Sequence, residues 1–198
     1  MKTNRTVLII VEIAILSSLS LVLDYLANFT TGSLFVSGGS ISIAMVPIML
    51  IGFRRGIIAG IASGFIVGVI QVIYGGHILE FFQYIFDYPL AYTVVGLAGV
   101  FIYLNKKKIN GPTIVLGSIF AGLLRYLSHI LAGIIFWSEY VPAEFMFLNN
   151  RMTGFNAYTW SIFYNGLYMI PSIIVSSIVL YFLFKYAKQL FVFFKVSL

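Results

Sequence analysis

The sequence predicts an all-α integral membrane protein, a single domain of six transmembrane helices with both termini in the cytoplasm. Of the 198 residues, 61% are apolar and only 9% charged, against about half and a quarter in soluble domains. The mean hydropathy is +1.03, so the chain has too little polar surface to cover itself in water. The net charge is +6, and its basic residues fall between apolar runs. That is the positive-inside pattern of a membrane protein, not a patch for nucleic acid.

The apolar segments run over 7–27, 41–53, 56–74, 79–104, 112–137 and 157–184. The first follows Lys2 and Arg5. It is longer than a signal-peptide core and lacks a small-x-small cleavage site, so it reads as a retained helix. The second is short for the ~20 residues a spanning helix needs, and re-entrant segments have that length. Charge decides in favour of a span. With it, Lys2/Arg5, Arg54/Arg55, Lys106–Lys108 and Lys185/Lys188/Lys195 all face the cytoplasm. The inner connections are then short and basic. Of the outer ones, 28–40, 75–78 and 138–156, the first and last are long and chemically varied, so function leans to the outer face. The first and last of them are candidates for a lid.

Ionisable residues inside apolar runs are costly and mark function. In the fifth run Arg125, His129 and Trp137 stand at i, i+4 and i+12, with Gly133 between them. At about 100° per residue these four drift only about 120° around one helix face. Glu80, Gln83 and Asp87 form another stripe at i, i+3 and i+7, flanked by Tyr84 and Tyr88. The sixth run opens with Tyr158, Trp160, Ser161, Tyr164, Asn165 and Tyr168. Simpler readings exist for each. Arg125 and Asp87 can neutralise one another, His129 can serve as an interhelical hydrogen bonder, and the aromatics can form an interfacial belt. None of these explains why the polar groups cluster at the outer ends of three helices. Together they describe a cavity for a small, flat, nitrogen-rich, cationic ligand, with aromatic faces that attract a cation. Catalysis fits poorly, because no nucleophile stands in a His/Asp/Ser grouping. Cysteine is absent and histidine occurs twice, so neither a metal cage nor a cofactor is expected. No Gly-rich phosphate loop followed by Lys exists for ATP. Ala14 and Ser18 give a small-xxx-small pair in the first run, which suits close approach of another helix or packing within the chain.

Several runs resemble the thiamine-specific S component of energy-coupling factor transporters. They are Ser42–Leu50 with Gly52–Gly56, Phe86-Asp-Tyr88, Leu124–His129, Ala132–Trp137 and Ser161–Asn165 with Tyr168–Ser172. The resemblance covers nearly the whole chain and implies a six-helix S-component fold in the bacterial plasma membrane. It implies high-affinity capture of thiamine at the extracellular side. It also implies partnership with a transmembrane T component and two cytoplasmic ATPases. In that family an acid followed by Tyr on the fourth helix contacts the ligand, the acid taking the aminopyrimidine. The matching pair is Asp87 and Tyr88, with an acid one methylene shorter than the usual Glu. The family's basic residue, His, Gly and Trp on the fifth helix match Arg125, His129, Gly133 and Trp137. Its sixth-helix contacts match Trp160, Ser161 and Asn165, with Tyr164 beside them, and Trp160 lacks the hydroxyl of the family's Tyr. His77 falls where a Tyr can contact the ligand. Small residues every fourth position on the first helix dock on the T component. Ala14 and Ser18 fit that pattern, and Val22 departs from it. Alternatives are an S component for another vitamin or a thiamine precursor, and a stand-alone secondary transporter.

Overall fold

The computed structural model describes residues 5–35, 37–74, 78–105 and 108–191. His77, Lys2, Lys106, Lys107 and Lys195, all drawn on above, lie outside them. The described residues are mostly helical. The helices are α1 (Arg5–Thr31), α2 (Met45–Arg55), α3 (Ile57–Gln71), α4 (Phe81–Leu104), α5 (Gly111–Phe136) and α6 (Ala157–Tyr186). Four of these rods are long and apolar enough to cross a membrane: α1 with its extension to Leu34, α4, α5 and α6.

The other two are shorter. At 1.5 Å per residue, the 11 residues of α2 rise about 16 Å and the 15 of α3 about 22 Å, against a hydrocarbon core of about 30 Å. Length alone therefore does not make either a crossing. Every residue of α2 from Met45 to Phe53 is buried, so neighbouring helices rather than lipid surround it. Gly56, at φ +94°, turns the chain between α2 and α3 in a conformation that L-residues rarely adopt.

Local chemistry sets the starts of α5 and α6. Asn110 caps α5 by accepting from the Thr113 N–H at 2.9 Å. Asn156 and Thr159 form a reciprocal box at the start of α6, at 2.9 and 3.0 Å, which satisfies donors a helix end leaves orphaned.

Glycines draw α3 against α4. Gly60, Gly64 and Gly68 recur every fourth residue, and a β-carbon at Gly64 would lie 2.1 Å from the Tyr92 carbonyl oxygen. Such small-residue seams let backbones touch where lipid supplies no hydrophobic drive between helices. On the other side of this seam α4 is irregular. It runs as a wide π turn at Phe86–Leu90, containing Pro89, and as a tight 3₁₀ stretch at Val94–Gly99. Pro89 has no N–H to give the ladder. Ser128 Oγ on α5 donates to the Phe86 carbonyl oxygen at 2.7 Å, which supplies a partner that lipid could not.

At one end of the molecule Glu12 of α1 accepts from both arginines closing α2. Arg54 reaches it at 3.0 Å and Arg55 at 2.6 Å. Arg54 also donates to the carbonyls of Gln189 and Leu190, at 3.1 and 2.9 Å. The all-helical reading needs one addition. Within the connection at 138–156, β1 (Glu144–Phe147) and β2 (Asn150–Thr153) pair antiparallel. Leu148 and Asn149 turn the hairpin with φ of 47° and 64°, the two positive values a tight two-residue turn requires. Phe145 packs edge-on against Trp160 at 5.1 Å.

Candidate ligand-binding cavity

At the end opposite the Glu12–arginine cluster, α1, α3, α4, α5, α6 and the loop at 32–40 enclose a cavity of about 440 Å³. That is within the ~300–1,000 Å³ of small-ligand sites. Asp87, Tyr88, Arg125, His129, Gly133, Trp137, Trp160, Ser161, Tyr164 and Asn165 all line it. These members of the stripes read from spacing share one space, whereas Glu80, Gln83, Tyr84 and Tyr158 of the same stripes are not among its lining.

Asp87 sits in the wide turn of α4, its side chain 16% exposed. Oδ2 accepts from Gln83 Nε2 at 2.7 Å and from the Trp137 indole N–H at 3.1 Å, and Oδ1 faces His129 Nδ1 at 3.1 Å. A carboxylate offers about four lone-pair positions, so one remains on Oδ1. With the proton of His129 on Nδ1, toward Asp87, Nε2 is left as an acceptor. It is buried and has no hydrogen-bond partner among the described residues. The cavity is thus left with the open acceptor position of Asp87, beside an indole that itself leans on Tyr140 at 5.5 Å.

Arg125 does not neutralise Asp87. Its guanidinium lies over the Tyr92 ring, 3.9 Å from the centroid, and the Tyr92 hydroxyl donates to Asp24 Oδ1 at 3.0 Å. Gly133 makes the α5–α6 contact possible, since a β-carbon there would fall 2.1 Å from Ser161 Oγ. Ser161 Oγ donates to the Ile130 carbonyl at 2.9 Å. Asn165 has its Nδ2 on the Ser161 carbonyl at 2.8 Å, and its Oδ1 accepts from Tyr168 Oη at 2.5 Å. Its amide holds this wall together within the protein. Trp160 stacks on Tyr164 at 5.0 Å. Tyr164 Oη accepts from the Ser37 N–H at 2.8 Å and donates to the Gly38 carbonyl at 2.9 Å, which pins the first loop across α6.

Ala14 and Ser18 are exposed on α1, as is Val22, while Ser17, Ser20, Asp24 and Ala27 face the bundle. The pair is thus not buried by packing among the described residues. Sequence reasoning passed over Asp24, Gln71 and Asn28, which also line the cavity, and Glu12. The signal was present, because acids within the first apolar run are as costly there as Asp87 is in the fourth.

The profile of the family described as "Thiamine transporter protein" (Thia_YuaJ) matches residues 10–192. The Thiamine transporter ThiT of Bacillus subtilis is 33% identical over 201 residues, spanning 96% of this chain and 97% of its own. That of Lacticaseibacillus paracasei is 30% identical over 203 residues, spanning 97% and 94%. A solved structure of ThiT from Listeria monocytogenes superposes with a TM-score of 0.76 at 30% identity, covering 95% of this chain and 99% of that one.

Proposed function

From the premise that the chain belongs to the thiamine transporter family, we propose that it captures thiamine in this cavity from the extracellular side, as the substrate-binding S component of an energy-coupling factor importer. The observation that carries the reading is Asp87, held beside His129 and by the Trp137 indole N–H with one acceptor position to spare. The aminopyrimidine amine of thiamine supplies an N–H donor for Asp87. The thiazolium supplies the cation for aromatic faces.

In this reading the chain is one domain that crosses the plasma membrane six times, and its packed α2 counts as a crossing. The Glu12–arginine end, near Lys185 and Lys188, faces the cytoplasm with both termini, as positive-inside bias favours. The exposed Ala14–Ser18 face of α1 docks on the T component. The chain has no nucleotide-binding loop of its own, so two partner ATPases drive release inward.

Titrating the purified protein with thiamine should quench intrinsic tryptophan fluorescence. Trp137→Phe should lose most of the quench and weaken binding by about tenfold, the loss of one desolvated cation–π and one hydrogen-bonding partner of Asp87. No quench and no heat of binding in the unaltered protein would sink the proposal. Tyr164→Phe removes both hydrogen bonds that pin Ser37 and Gly38. Stopped-flow traces should show thiamine leaving it about tenfold faster, and an unchanged dissociation rate would count against the loop's closing the cavity.

A further inference from the structure

The β1–β2 hairpin is built against the usual rule at its tip. Asn149 meets the turn's demand for a residue that tolerates positive φ, but the position before it is Leu148, at φ 47°. A bulky side chain is rarely found there, and Gly or Asn would turn the chain without strain. Leu148 is also 78% exposed, and Met146 two residues before it is 62% exposed. In water this tip is costly twice, in backbone strain and in bare apolar surface.

The place of the hairpin on α6 indicates what covers the tip. Its other face is aromatic. Phe147 packs on Phe163 at 5.6 Å, and Phe145 on Trp160 at 5.1 Å. Phe163, Ile170, Ile174 and Tyr181 stand at i, i+7, i+11 and i+18. At about 100° per residue they fall within about 20° of one line along α6. Ile170, Ile174 and Tyr181 are exposed on a rod long and apolar enough to cross a membrane, so that line faces lipid. The hairpin therefore hangs over the cavity end of a lipid-facing stripe and continues its surface.

Depth agrees with this. The 30 residues of α6 rise about 45 Å, against a hydrocarbon core of about 30 Å. Shared between the two ends, the excess leaves about 7 Å outside the core on each side. Phe163 lies six residues past Ala157, the first of α6, and so about 9 Å down its axis. Phe147 meets α6 at the hydrocarbon boundary, and Leu148 follows it directly. The hairpin's two charges suit that zone, because Arg151 and Glu144 pair with one another.

We propose that the tip from Met146 to Leu148 is a membrane-contacting surface, seated between the headgroups and first acyl carbons of the phospholipid leaflet at the cavity end. Lipid there removes the side chains of Met146 and Leu148 from water. Through Phe145 the seated hairpin braces Trp160 and Tyr164, at 5.1 and 6.5 Å, and both line the cavity.

The chain has no cysteine, so single thiols can be introduced and labelled with bimane. Leu148→Cys at the tip, Thr153→Cys at the foot of the hairpin and Ile174→Cys on the stripe are compared in phospholipid nanodiscs. One quencher is a phospholipid with a nitroxide high on its acyl chain, and the other is iodide in the water. The label at Leu148→Cys should lose emission to the nitroxide lipid at least as strongly as the label at Ile174→Cys. Iodide should quench it less than the label at Thr153→Cys. Strong quenching by iodide with no effect of the nitroxide lipid overturns the proposal, because water then covers the tip. Protection from both quenchers overturns it too, since a protein chain then covers the tip. If the label at Ile174→Cys also escapes the nitroxide lipid, the stripe does not face lipid and the proposal falls with it. These measurements need no thiamine, so their failure leaves the reading of the cavity untouched.

Discussion

Asp87→Asn is expected to weaken thiamine binding by about 10–100-fold, the loss of a hydrogen bond to a charged group plus a disturbed site. The substitution keeps the size of the side chain and replaces one oxygen by an NH₂. Oδ2 receives Gln83 and Trp137, and Oδ1 faces His129. Nitrogen at the Oδ2 position sets a donor against Gln83 and Trp137, and nitrogen at Oδ1 forces the proton of His129 from Nδ1 to Nε2. The remaining acceptor position proposed for the aminopyrimidine is lost or turned away, and the negative charge that favours a cation goes with it. Calorimetry on the purified variant measures this directly. A dissociation constant within about threefold of the original would remove Asp87 from the site.

The largest effect on stability should come from the α3–α4 seam. Gly64→Val places two methyl groups beyond a β-carbon that already falls 2.1 Å from the Tyr92 carbonyl oxygen. Backbone cannot swing aside as the end of a long side chain can, so the two helices must separate. Overpacking of this kind costs about 1–3 kcal/mol or more, a fall in Tm of roughly 2–12 °C for a chain of this size. Thermal unfolding in detergent reads it out, with Ile58→Ala as the comparison because Ile58 is 86% exposed on the same helix. Equal melting of the two variants would show that the seam does not hold α3 in place.

The polar wall of the cavity was legible because charged and aromatic residues stand out against apolar runs, and because i, i+4 spacing converts directly into a shared face. That places Arg125, His129, Gly133 and Trp137 together without any structure. Their partners were less legible. Spacing puts Asp87 and Arg125 near one another in principle, yet Asp87 takes His129 and Trp137 while Arg125 rests on Tyr92 and the field of Asp24. Pairing among helices depends on rotation about each axis, and the wide turn at Pro89 alters that rotation in a way no periodicity reports. The hairpin at 144–153 was hidden for another reason. Its strands have four residues each, and its turn uses Leu148 where Gly or Asn would have given the signal. Asn165, read as a ligand contact, lines the cavity, and its amide also braces the wall through Ser161 and Tyr168, which spacing did not report. The name of the ligand came from resemblance alone. Residue chemistry reached only a flat, nitrogen-rich cation.

The turn at Phe86–Leu90 acts as a phase setting. A π turn is a regular helix with one residue added, and each residue of an α-helix advances the azimuth by about 100°. Asp87 lies within that turn, while Tyr92 and Gly96 follow it. Removing one residue there would restore regular pitch and rotate the rest of α4 by about that angle against its neighbours. Tyr92 would swing off Asp24, and Gly96 off Gly60. The extra residue lets one helix aim an acid into the cavity in its first half and still present its smallest residues to α3 farther along.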